Sequence, residues 1–248
     1  ALPISLFADG RAGGDAQLKG KIVHRLLQAL LPRLIPKHAF KIYPHRGKGR
    51  LEAQLKRDQD RKGTGLLDQL PATLKVFGKN MEASTDRVVV LLDLDDDSAP
   101  ELTERLLELL QKTKPAPSCE FCFAIEEAES WYLADLGAVR RAFAGQSLDE
   151  AVLKNYKHDS IVGAWELFQR LIKDSCERKP AWAERMGKEL SVAPEGEESP
   201  SPSYRAFCAT VRGQAGDSPS LRRGVRKAAA KKPRSTGRLP RTATKAAR

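Results

Sequence analysis

The chain has 248 residues, 41% of them hydrophobic and 30% charged, with a formal net charge of +11. That length suits one main globular domain with a sizeable core, since domains typically run to roughly 100 to 200 residues. No uninterrupted apolar run approaches the roughly 20 residues that a bilayer-spanning helix needs, so membrane insertion is excluded, and the positive charge raises nucleic acid as a partner.

Ala1 to Asp9 lacks the basic leader, apolar stretch and small-residue cleavage site of a secretory signal, so a cytoplasmic protein is expected. Within it, Pro3 to Ala8 is a short apolar run suited to a first strand, ended by Asp9-Gly10 and a turn at Gly13-Gly14. Apolar residues from Leu18 through Ile22, Leu26, Leu27, Leu30 and Leu34 recur at helical spacing and predict a helix that Pro36 stops. His38 to Tyr43 alternates and predicts a second strand. Leucines from Leu51 to Val76 return to helical spacing, with an interruption near Gly63 and Gly65.

Arg87 to Leu92 is almost entirely β-branched or leucine with no polar alternation, the pattern of a strand covered on both faces. A helix over Glu101 to Leu110, a strand over Glu120 to Ile125 and a helix over Glu126 to Phe143 follow. Alternating strands and helices predict an α/β sandwich of Rossmann-like type, with a mainly parallel central sheet flanked by helices. Residues from about 144 to 213 read as a small helical closing region. It contains a Pro-, Ser- and Glu-rich loop over Val192 to Ser203 and a short helix over Tyr204 to Val211.

The remainder, residues 214–248, is a basic tail. Arg222 to Arg248 carries eleven Lys or Arg and no acid, equal to the whole net charge of +11, so residues 1–221 are balanced. Almost devoid of large apolar residues, the tail is expected to be disordered. It suits sequence-blind binding of phosphates through counterion release, or simply a solubilising role. The domain division is therefore 1–213 and 214–248.

Four cysteines are too few and too scattered for a disulfide framework. Cys119 and Cys122 have the spacing of a zinc half-site, but Cys176 and Cys208 form no second pair, and Cys122 reads as a small buried hydrophobe on a strand.

In parallel α/β folds, function gathers where strands end. Three acidic stretches take such positions: Asp9 after the first strand, Asp93 to Asp97 after the central one, and Glu126, Glu127 and Glu129 after the next. Asp93 and Asp95, two apart, point to the same side of a strand end and suit one hard cation, Mg²⁺ or Mn²⁺. A helix-capping turn accounts for Asp97 and Ser98 but not for Asp93, which follows six residues of buried type. The loop His45 to Arg50 offers backbone amides with Arg46, Lys48 and Arg50 as a nucleic-acid phosphate contact, or is a solvated glycine turn. Trp131, Trp165 and Phe168 read as core, and His24 has no assigned role. A P-loop and a Gly-x-Ser-x-Gly nucleophile elbow are absent, and Ser98 replaces the glycine that a calcium loop requires. Asp96 and Asp97 do not suit a phosphatase of the haloacid dehalogenase type.

Gly47-Lys48 before a helix, Val88 to Asp95, and Phe123 to Asp135 with its Glu129-Ser-Trp131 and Leu133-Ala-Asp135, occur in the order seen in a known family. From about Ile4 to Phe207 the chain resembles the Toprim-like domain of unknown function 4276, and Lys179 and Ser203-Tyr204 resemble its closing region. The resemblance implies a Toprim-like fold related to the overcoming-lysogenization-defect nucleases. It implies Asp93 and Asp95 as ligands of Mg²⁺ or Mn²⁺, with Glu129 a further ligand or orienting catalytic group. Asp9 stands where the superfamily usually has the longer Glu, as catalytic base or ligand. The expected activity is metal-dependent cleavage of nucleic-acid phosphodiesters, DNA rather than RNA, as the effector of a bacterial anti-phage defence system with a separate partner ATPase and with homo-oligomers left open. The alternatives are a non-catalytic Toprim-like module that binds nucleic acid or the ATPase, and a metal-dependent phosphotransferase.

Overall fold

The computed structural model describes residues 4–8, 21–51, 65–82, 84–160, 163–193 and 199–213. The expected turn at Gly13-Gly14, the site residue Asp9 and the basic tail lie outside the described residues. The elements alternate as the sequence predicts: β1 (Ile4–Ala8), α1 (Lys21–Leu34), β2 (Phe40–Pro44), α2 (Leu66–Asn80), β3 (Arg87–Asp93), α3 (Ala99–Lys112) and β4 (Cys119–Ala124). Helices α4 (Glu129–Ala134) and α5 (Leu136–Ala142) come next, and the helical closing region follows as α6 (Ala164–Ile172), α7 (Lys179–Glu189) and α8 (Pro202–Val211), with short 3₁₀ turns at Glu150–Leu153 and Cys176–Arg178.

The four strands form one sheet in the order β2-β1-β3-β4, all parallel. Strand β3 is buried from Val88 through Asp93, as its unbroken apolar run requires of a strand covered on both faces. Its side chains alternate between two cores. Val89 and Leu91 join the core of α1 and the closing helices, whereas Val88, Val90 and Leu92 join that of α2 and α3. The chain winds from β1 to β2 on one side and places β3 on the other, so the order reverses between β1 and β3. In open parallel sheets the crevice at the carboxyl ends of such neighbours is where ligands bind. Among the described residues no helix is long and apolar enough to cross a membrane.

The sequence predicts one helix from Glu126 to Phe143; the structure has two. The break falls at Asp135, whose carboxylate accepts from the Ala138 amide at 2.8 Å, capping α5, and from the Ser191 amide at 2.9 Å. A side chain that competes for local amides ends one helix and starts another, and its distant partner Ser191 fixes the bend.

Helices α1 and α7 pack closely at Gly187. A Cβ there would lie 2.5 Å from the Leu26 carbonyl oxygen and 2.8 Å from the Ala29 Cβ. Gly187→Ala adds helix propensity of about 1 kcal/mol, yet forces two backbones apart in a packed core, at about 1–3 kcal/mol. The net expectation is a lower melting temperature, which thermal unfolding of the variant checks.

Candidate functional site

Asp93 ends β3 and is 3% exposed. Two residues after Leu91 on an alternating strand, it belongs to the face of the core that holds α4 and Tyr132. Glu129, the first residue of α4, is also 3% exposed. Both charges are felt at the buried Tyr132, whose hydroxyl is held well above its ordinary pKa by burial first, then by Glu129 and Asp93.

Asp95 takes a different partner. The strand stops at Asp93, and Asp95 adopts a left-handed backbone with φ of 51°. The Lys48 ammonium stands 3.5 Å from its carboxylate and 2.5 Å from that of Asp97, and donates to the Leu94 carbonyl at 2.8 Å. Side chains two apart share a side only while the strand continues, and here it does not. The Asp95 amide donates to the Glu126 carbonyl at 3.0 Å, and Glu126 is left-handed as well, with φ of 61°. Two non-glycine residues in this costly conformation, joined across the ends of β3 and β4, mark strain gathered at the crevice. The Glu126 carboxylate itself serves α6, accepting from the amides of Gly163 at 2.7 Å and Ala164 at 3.1 Å.

The glycine loop before α2 is held by that helix. The Gly47 and Lys48 carbonyls accept from the amides of Leu66 and Leu67, and Asp68 accepts from the amides of Gly65 and Arg50. Gly49, with φ of 71°, has no space for a Cβ against Asp68. The Arg50 amide is thus engaged within the fold, and Lys48 turns inward to the aspartates. Arg46 is exposed and lines a cavity beside β2.

Sequence reading gave no site role to Lys179, Glu127, Tyr132 or Ser130. Lys179 opens α7, is 4% exposed, and holds its ammonium 3.5 Å from the centroid of the Trp165 ring. Trp165 is therefore half-buried beside this cation, whereas Trp131 and Phe168 are core as predicted. Among the described residues five buried side-chain polar atoms lack a hydrogen-bond partner. Four of them belong to this neighbourhood: Glu127 Oε2, Ser130 Oγ, Tyr132 Oη and Lys179 Nζ. Such groups are costly singly, and their concentration at the carboxyl edge of a parallel sheet marks a place built for a polar ligand. The signal in the sequence is Glu127 to Tyr132, an acidic, polar run at a strand end that is also rich in buried-type residues.

Electrostatics agree. Burial first, then the charge of Glu129, pushes the Glu127 carboxyl up to about 8, while Lys179 pulls it down. Glu129 is raised by burial too, with Lys179 the main opposing influence. The folded pKa of Glu127 exceeds its unfolded 4.5. Its contribution to stability is thus complete below about pH 4.5 and lost as pH rises through about 8. In chelator, the melting temperature is expected to fall between pH 5 and pH 8, a trend that added divalent cation diminishes.

All four cysteines are free thiols. Burial pushes Cys122 up to about 12 and Cys208 up to about 11, and raises Cys119 as well, whereas Cys176 is exposed. Thiolate is the reactive form. Alkylation of the folded protein is expected to modify Cys176 alone, which mass spectrometry of the digest reads out.

Among the described residues, no group of three or more His, Cys, Asp or Glu side chains is arranged to hold a metal ion. The candidate site comprises two buried carboxylates, Asp93 and Glu129, with Tyr132 under the influence of both and Glu127 and Lys179 beside Glu129. Compared with protein-family models, curated proteins and solved structures, the chain finds no significant match in any of the three.

Proposed function

We propose that this chain is a Toprim-type nuclease that hydrolyses nucleic-acid phosphodiesters with Mg²⁺ or Mn²⁺ at the carboxyl end of β3, in the cytoplasm and with a separate ATPase as partner. The observation that carries this reading is the burial of two carboxylates, Asp93 at the end of β3 and Glu129 at the start of α4, whose charges both reach Tyr132 beside the reversal of strand order. Buried like charges are tolerated when a cation sits among them.

The residues fit a hard cation, because the donors are oxygens and burial already raises the Glu127 and Glu129 carboxyls in the absence of one. A two-carboxylate site suits Mg²⁺, which keeps several waters and completes its shell with substrate phosphate. Asp93 and Glu129 would hold the ion, and Asp9, beyond the end of β1, is the candidate for a third oxygen ligand or base. When bound, the ion supplies polarisation of the phosphoryl oxygen and a bound water of lowered pKa.

The protein's own groups do the rest. The Lys179 ammonium, held over Trp165, faces the negative charge that grows on the phosphate. Glu127, two residues before Glu129 and half-buried beside it, is placed to exchange a proton with the leaving oxygen. Glu129, on the first turn of a helix fixed by Trp131, keeps its carboxylate in place.

Supercoiled plasmid, single-stranded DNA and RNA incubated with the protein and Mg²⁺ or Mn²⁺ test the reading. Cleavage with metal and none in chelator is expected, DNA being cut in preference to RNA. Cleavage that persists in chelator contradicts it. A second reading, a non-catalytic module that binds nucleic acid or the ATPase, is favoured by one observation: Lys48 already neutralises Asp95 and Asp97. Nucleic acid that binds but stays intact with either metal and the ATPase present selects that reading.

A further inference from the structure

Strand β2 is an edge of the sheet, and none of its residues is fully buried. Between it and α2 lies a cavity of about 660 Å³, a size within the roughly 300–1,000 Å³ of ligand-binding clefts. Its floor is aromatic: Phe7 and Tyr43 stack with centroids 4.7 Å apart, and Phe77 stands edge-on to both at 5.1 and 5.6 Å. One wall is the exposed face of α2, including Val76, the one large hydrophobic among the described residues that stands out in solvent, at 55% exposure. The rim is basic. Arg46 lines it, the Lys41 ammonium stands 5.0 Å over the Tyr43 ring, and none of the described lining residues is acidic. His45, lowered by burial, is neutral at neutral pH and adds a ring rather than a charge.

An aromatic floor with a cationic rim and no acid is complementary to unpaired bases joined by phosphates. Every base has a face to stack, and duplex bases keep theirs occupied. The position is also apt. Phe7 pairs in register with Tyr43 on one side and Val90 on the other, and Asp93 lies three residues beyond Val90. Two strand spacings and three residues of rise put the Tyr43 and Asp93 backbones about 14 Å apart, on opposite faces of the sheet, so that a strand a few nucleotides long passes from one to the other over the carboxyl edge.

We infer that the groove between β2 and α2 binds single-stranded nucleic acid, its bases against Tyr43 and Val76 and its phosphates on Arg46 and Lys41, and delivers the strand to the Asp93 crevice. The inference rests on the phosphodiester reading for what the strand is delivered to, and names the substrate class as single-stranded. Neither the basic tail nor the metal is needed for it.

Fluorescence anisotropy of a labelled thymidine oligonucleotide and of a blunt duplex of equal length tests this with the full chain. Chelator removes any dependence on metal, and raised salt suppresses the tail's contribution. Val76→Glu puts a negative charge in the groove at an exposed position that the fold does not need, and Tyr43→Ala removes the stacking ring. Each is expected to weaken single-strand binding about tenfold or more, the loss of about one stacked base, and to leave duplex binding as it was. An iodouridine oligonucleotide is expected to crosslink to the peptide containing Tyr43. Wild-type affinity in Val76→Glu overturns the inference, as does equal weakening of duplex and single strand. Cleavage is scored separately: a nuclease with an unchanged groove variant refutes the groove alone, and single-strand binding without metal-dependent cleavage refutes the nuclease alone.

Discussion

Asp93→Asn is expected to lower metal-dependent cleavage by about a thousandfold while leaving the protein folded. A bound cation supplies several kcal/mol of stabilisation to the charge developing on phosphate, and each 1.4 kcal/mol or so is a factor of ten in rate. Asn keeps the shape of Asp93 but not the charge that grips the ion. Asp93 is 3% exposed, and Asn of nearly equal volume fills the same space in the core. Steady-state cleavage and thermal unfolding in chelator check both halves. A loss of rate that goes with loss of the cooperative unfolding transition would assign Asp93 to the fold instead of the site.

The largest effect on stability is expected at Trp131. Its indole is wholly buried, stacks on Phe207 at 5.1 Å and tilts against Tyr204 at 5.2 Å. The ring nitrogen donates to Ser203 Oγ at 2.9 Å, and Ser203 is held in turn by Asp159, which accepts from its amide at 2.7 Å and its hydroxyl at 3.1 Å. These contacts tie α4 to α8. Trp131→Ala is expected to cost about 3–5 kcal/mol, a fall of roughly 6–20 °C. Trp131→Phe keeps a ring in the stack and removes only the donor, and about 1–2 kcal/mol is expected. Because Glu129 is two residues away on the same short helix, both variants are expected to lose cleavage as well. Urea unfolding ranks them; Trp131→Ala melting within 2 °C of wild type would show that α4 is fixed by something else.

The sheet was legible in the sequence because β3 needs both faces covered, and a run such as Val88 to Leu92 has no other comfortable place. Helix positions were legible for the same reason of periodicity. Asp93 could be singled out because a carboxylate directly after a buried run has no helix-capping explanation. What local pattern could not carry is direction and distance. Asp95 was expected to share a cation with Asp93, and its left-handed turn and its ion pair with Lys48 are features that no local pattern shows. The loop around Gly47 and Gly49 was expected as a phosphate contact; that its carbonyls and Asp68 hold the start of α2 lies beyond any local window. Lys179 lies fifty residues after Glu129 on a separate helix, so its arrival beside Glu127 and Glu129 is a product of tertiary packing alone. Asp135 likewise broke an expected helix through a partner, Ser191, that no local window contains.

The most direct test of the central proposal is calorimetric titration of Mn²⁺ into the metal-free protein at neutral pH, for wild type, Asp93→Asn and Glu129→Gln. Saturable binding to wild type, weakened at least tenfold in each variant with the fold intact, is the predicted result. No saturable binding to wild type, or equal binding by all three, would contradict a metal centre at Asp93 and Glu129.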